Sequence, residues 1–137
     1  MYQNMDEIEF VVHKFERCEY TPAEFTHARH LTVAAWYLSR VPASDALKVM
    51  REKLVQFSRH HGKMGYHETI TRFWLDLVAN YLRDADLDKP LTFRINELVG
   101  LYADKNILFQ HYTRELVMSD EARAQWVPPD LSHPANQ

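Results

Sequence analysis

The chain has 137 residues, 46% of them hydrophobic, and 16 basic against 19 acidic side chains leave a net charge of −3. That length suits one compact domain with a real core, while Lys and Arg scattered among acids make no stripe for a phosphate backbone, so nucleic acid is not an expected partner. Three glycines without a Gly-rich turn leave no phosphate-cradling loop, Cys18 as the single cysteine removes internal disulfides and Cys-rich metal sites, and no apolar run approaches the roughly 18 residues that cross a bilayer.

Apolar residues recur with helical period almost throughout, with neither strand-like alternation nor an Asn-Gly or Asp-Gly hairpin turn. The expectation is an all-α, single-domain antiparallel bundle of about five or six helices over residues 1–137, with 127–137 an extended Pro-containing tail. The opening MYQNMDEIEF is acidic and lacks the basic-then-apolar order of a signal peptide, so a cytoplasmic location is expected.

The first predicted helix runs from Met5 to Cys18 with Ile8, Val11, Phe15 and Cys18 on one face and His13 on the other. For the second, Thr21 as N-cap, Pro22 at the first helical position and Glu24 three residues after the cap form a capping box, and the pattern continues to Arg40. At about 100° per residue, His27, Leu31, Ala34 and Leu38 share one stripe and His30 lies about 60° to its side.

After Pro42 a third helix spans Ser44 to His61, with Gly62 the residue type that follows a helix C-terminus. Leu47, Met50, Leu54, Phe57 and His61 line its apolar side, and His60 projects off it. A fourth, from Tyr66 to Arg83, aligns His67, Thr71, Trp74 and Val78 with Tyr81 or Leu82. Beyond Pro90, TFRINELVGLYA and the stretch Ile107 to Val117 read as two shorter helices. A capped turn begins at Ser119, and the tail from Val127 carries Pro128, Pro129 and Pro134.

Short connections bring the start of the second helix, the end of the third and the start of the fourth to one end of the bundle, gathering His27, His30, His61 and His67. Imidazole is the commonest metal ligand, and a shared ion would satisfy several buried rings at once. The leading expectation is therefore a small helical metalloprotein, an enzyme on a small-molecule substrate, in which His27, His30 and His67 bind a divalent transition metal (Zn, Fe or Cu) with an open position. His61 or Glu68 would complete or support the set, with Glu68 and Tyr66 as candidate catalytic residues and His111 a further wall residue.

Glu24-x-x-His27 matches half of a di-iron motif, but the partner glutamates are missing. Two alternatives stand beside the metal site: a metal-free binding module or acid/base enzyme using His67 and Glu68, and a structural or interaction protein whose histidines bond one another and backbone carbonyls. Homo-oligomerisation is left open.

Three ordered segments, Phe25-Thr-His27-Ala-Arg-His30-Leu-Thr-Val-Ala-Ala-Trp36, then Gly65-Tyr66-His67-Glu68-Thr69-Ile-Thr71, then Ala122-Arg-Ala-Gln-Trp126-Val-Pro-Pro129-Asp130-Leu131, carry a resemblance. Over about residues 22 to 131 the chain resembles a family of short, uncharacterised bacterial all-helical proteins. The resemblance implies a shared fold centred on the same histidines and Tyr66, and it implies no particular activity or substrate.

Overall fold

A computed structural model describes residues 1–63 and 65–131, so Met64 and the expected tail beyond 131, with Pro134, lie outside the described residues. Five longer helices form the bundle: α1 (Met5–Glu16), α2 (His27–Leu38), α3 (Ala43–His60), α4 (Glu68–Asp84) and α5 (Leu91–Leu101). A 3₁₀ helix (Lys105–Gln110) and two short helices, α6 (Arg114–Val117) and α7 (Asp120–Ala124), follow. The all-helical expectation holds, and among the described residues no helix is long and apolar enough to cross a membrane.

Asn4 caps α1 by accepting from the Glu7 N–H at 3.1 Å, and Asp6 and Glu7 in the first turn suit the positive end of the helix. Ile8, Val11, Val12 and Phe15 are its buried face. The helix stops at Glu16, short of the predicted Cys18, because Cys18 takes a left-handed backbone (φ 58°) and closes the end: its N–H donates to Phe15 O at 2.9 Å and the Glu19 N–H to Lys14 O at 3.0 Å.

The capping box at Thr21 exists, but it closes a single turn instead of starting a helix. Glu24 N–H donates to Thr21 Oγ1 at 3.1 Å, and Thr21 N–H donates to Glu24 Oε1 at 2.9 Å. The chain then extends at Thr26 (ψ 167°), which caps α2, so the helix begins at His27, six residues beyond the predicted cap. The break lets Phe25 stack on Phe15 at 4.5 Å and lie 5.4 Å from Phe57, so burial of one aromatic overrides a sound local signal.

α2 is the central helix and packs against α1, α3, α4 and α5. Leu31, Thr32, Val33, Ala34 and Ala35 are consecutive and all buried, so α2 is enclosed well beyond a single stripe. One apolar cluster joins it to Ile8, Trp74, Val78, Ile95 and Leu98; another joins it to Val12, Phe15, Met50, Phe57 and Leu75.

α3 ends as expected. Gly62 adopts φ 68°, its N–H donates to Arg59 O at 3.0 Å, and the Lys63 N–H reaches Ser58 O at 2.8 Å. An L side chain at Gly62 would be strained in that left-handed conformation. α4 starts at Glu68, two residues later than predicted, because His67 itself is the N-cap. The single helix expected over Ile107–Val117 divides into the 3₁₀ helix and α6. Thr113 begins α6 by accepting from the Leu116 N–H at 3.2 Å, and its own N–H and hydroxyl donate to Asp130 at 2.8 and 2.7 Å. Ser119 caps α7 at the predicted position, accepting from the Ala122 N–H at 3.1 Å.

Candidate functional site

Two of the predicted histidines join helix starts to helix ends. His27, first residue of α2, donates through Nε2 to Tyr102 O at 2.9 Å, where Tyr102 caps the end of α5. His67 donates through Nε2 to Val117 O, the last residue of α6, at 2.7 Å, while its Nδ1 accepts from the Ile70 N–H at 3.1 Å. The last carbonyls of a helix lack intrahelical donors, and each imidazole supplies one. The partners of His67 assign the neutral Nε2–H tautomer and leave neither ring nitrogen free.

Burial lowers the pKa of both rings, opposed in part by the accepting carbonyl, and the edge of the Trp74 ring, 4.5 Å away by centroids, adds to the apolar setting of His27. His30 and His61 stand apart from this pattern, in contact with the Phe25/Phe57 pair. His30 lies 5.6 Å from Phe25, and burial, helped by His27, pushes its pKa down to about 4. His61 packs 4.6 Å from Phe57 with a buried Nε2 that has no hydrogen-bond partner among the described residues. His111 lies 5.2 Å from Phe73. Among the described residues, no three His, Cys, Asp or Glu side chains are placed to share a metal ion.

Glu68 and Tyr66 do meet, with a partner that sequence reasoning did not supply. Arg51 of α3 forks onto the Glu68 carboxylate, Nε to Oε1 at 2.8 Å and Nη2 to Oε2 at 2.6 Å, and the Tyr66 hydroxyl donates to Oε1 at 2.5 Å. Arg51 above all holds the Glu68 pKa below the usual carboxylate range. Burial, then the bond to Glu68, raises that of Tyr66. The carboxylate is thus a weak base with its oxygens occupied, and the phenol is a proton holder. This set positions the turn before α4.

The turn forms one wall of a cleft of about 310 Å³. Val55, Ser58 and Arg59 of α3 form a second wall, Lys63 and Tyr66 lie in the turn itself, and Arg123 and Ala124 of α7 close the third side. A neighbouring cleft of about 390 Å³ runs back along α3 past Arg51 and shares Val55 and Arg59 with it.

α7 is fastened here by buried Thr69, whose hydroxyl donates to Gln125 O at 3.0 Å while its Oγ1 accepts from the Val127 N–H at 3.2 Å. Tyr112 adds a bond to Val127 O at 2.7 Å, Arg72 lies 4.4 Å over the Trp126 ring, and Arg123 Nη1 lies 3.4 Å from Tyr66 O. A larger cleft of about 520 Å³ lies between the N-terminus and α5. Two of its polar residues are taken by the fold: Tyr2 and Asn96 exchange two backbone-to-amide bonds of 2.9 Å, and the Tyr2 hydroxyl meets Thr32 at 2.8 Å.

Arg51, Arg59 and Arg123 carry no signal in the sequence and the role of Lys63 stays open there, because nothing local links residues 59 and 63 to residue 123. Compared with known protein families, curated proteins and solved structures, the chain shows no match.

Proposed function

We propose that the protein is a small-molecule-binding domain whose ligand occupies the cleft between the last turns of α3, the turn through Tyr66, and α7. One observation carries this reading: three separate chain segments converge on a cavity of about 310 Å³, within the size range of small-molecule sites. Val55, Ala124 and the Tyr66 ring offer apolar contact beside polar groups. The protein supplies a fixed shape there, since the Schellman turn at Gly62 holds one wall and the Thr69 bonds hold another.

The reading is tested by adding a set of neutral and charged aromatic fragments to ¹⁵N-labelled protein. Amide shifts should concentrate at residues 55–59, 65–66 and 123–124, and Ala124→Phe, which fills the mouth from an exposed position, should abolish them. Shifts scattered over the surface, or unaltered by Ala124→Phe, would rule the cleft out.

A transition-metal centre is the second reading, favoured by the buried, unpartnered Nε2 of His61. The residues do not fit the predicted three-histidine set, because both nitrogens of His67 are in use. Among the described residues no set of three ligands gathers at His61, so an ion there would need further ligands beside it. Elemental analysis of untagged protein beside a His30→Ala/His61→Ala variant tests it: stoichiometric metal lost in the variant supports the reading, and none in either chain dismisses it.

A further inference from the structure

We infer that the ligand of this cleft is a small organic oxyanion carrying about two negative charges on an apolar body, an inference that rests on the cleft being the binding site. Arg59, Lys63 and Arg123 all line the cavity, while among the described residues no carboxylate does. Arg59 and Lys63 have no acidic partner among the described residues, and the one bond from Arg123 is a long contact of 3.4 Å to Tyr66 O.

The acids on the same elements lie elsewhere. Glu68 is neutralised by Arg51, Glu52 lines the adjoining cleft, and Asp120 and Glu121 occupy the first turn of α7, where the helix start favours negative charge.

Helix electrostatics accounts for each cation singly, since Arg59 and Arg123 sit in the last turns of α3 and α7 and Lys63 just beyond α3. It does not require that two helix ends converge, and three carbonyls at the end of α3 each already accept a backbone N–H. Phe57 O, Ser58 O and Arg59 O accept from the N–H groups of His61, Lys63 and Gly62. Two guanidinium groups and an ammonium around one cavity match a phosphate monoester or a dicarboxylate, whose oxygens accept the available N–H donors. Val55, Ala124 and the Tyr66 ring match the organic part.

The experiment uses three probes of similar size, phenyl phosphate, benzoate and benzyl alcohol, titrated into the full chain at low salt and followed by amide shifts. The expected order of affinity is phenyl phosphate, then benzoate, then benzyl alcohol, with phenyl phosphate weakening as salt is added. Lys63→Gln and Arg123→Gln should each weaken phenyl phosphate about tenfold, the lower end expected for losing a charge-assisted bond at an exposed site. Lys48→Gln, the same charge change at an exposed α3 position outside the cleft, should leave binding unchanged. Benzyl alcohol binding in the cleft as well as phenyl phosphate would overturn the inference and leave the small-molecule reading intact. Equal weakening by Lys48→Gln would reduce the preference to net charge and overturn it too. Failure of all three probes to bind in the cleft would overturn both.

Discussion

The two sides of the α4 N-terminus treat their polar groups in opposite ways. On the side of His67 and Thr69, the groups at the end of the helix find partners inside the fold: His67 with Ile70 and Val117, Thr69 with Gln125 and Val127. On the side of Tyr66, the cations Arg59 and Lys63 line a cavity with no acid among the described residues to meet them. A buried polar group with a complete set of bonds is part of the scaffold, and a set of converging groups without one is available to a ligand. The histidines attract attention in the sequence, whereas the proposed ligand site lies at the cleft.

The contrast breaks most visibly at His67. Its replacement by Ala removes the N-cap of α4, the tie to Val117 and a buried ring together, and should lower stability by about 2–4 kcal/mol in urea unfolding. His67→Asn, which can still cap, should recover about 1 kcal/mol of that loss. A cost near zero would mean the ring is not the tie described.

Thr69→Val comes next, at about 1–3 kcal/mol, because it leaves Gln125 O and the Val127 N–H without their partner. Hydrogen exchange should quicken at Val127 while the middle of α4 stays protected; uniform quickening would show that the bonds do not act locally.

The effect of pH at any one step is smaller and has a definite sign. His27, His30 and His67 all have folded-state pKa values below the ordinary 6.5, so the unfolded chain binds more protons below that pH. Their stabilisation is complete above about pH 6.5 and is lost as the pH falls through the folded values, down to about 4 for His30. Glu68, also depressed, adds a loss of the same sign below the usual carboxylate range. Melting temperatures should therefore stay nearly level from pH 7.5 to about 6.5 and fall from there to pH 4, and His30→Phe should flatten that fall; a flat wild-type profile throughout would show the rings exposed. The smallest effect is that of Ala124→Phe on stability, within about 0.5 kcal/mol at an exposed position, checked by urea unfolding beside the wild type.

What the sequence discloses and what it conceals divide by range of interaction. Gly62 after α3, Ser119 before α7 and the apolar face of α1 are local signals, and each lies where the pattern put it. The capping box at Thr21 is also real as a set of bonds. It fails to start α2 because Phe25 is drawn onto Phe15 and Phe57, contacts with no local trace. The helical pattern takes in His67, because imidazole is an uncommon cap. Its deciding partner, Val117, is 50 residues away.

Helical spacing points to Tyr66 and His67, yet it does not show that Arg51 holds Glu68 or that Arg123 and Lys63 line one cleft. Such long side chains meet only once the helices and the C-terminal segment are packed. The inward direction of His27 and His67 was legible; the carbonyls that receive them were not.

The central claim, that His67 belongs to the scaffold, is tested most directly by long-range ¹H–¹⁵N spectra of the histidine rings, with and without one equivalent of Zn(II). The account predicts a neutral Nε2–H tautomer for His67 at pH 7.5, with ring signals that zinc does not move. A His67 ring whose nitrogen shifts change stoichiometrically with zinc would contradict it and restore the histidines to the centre of function.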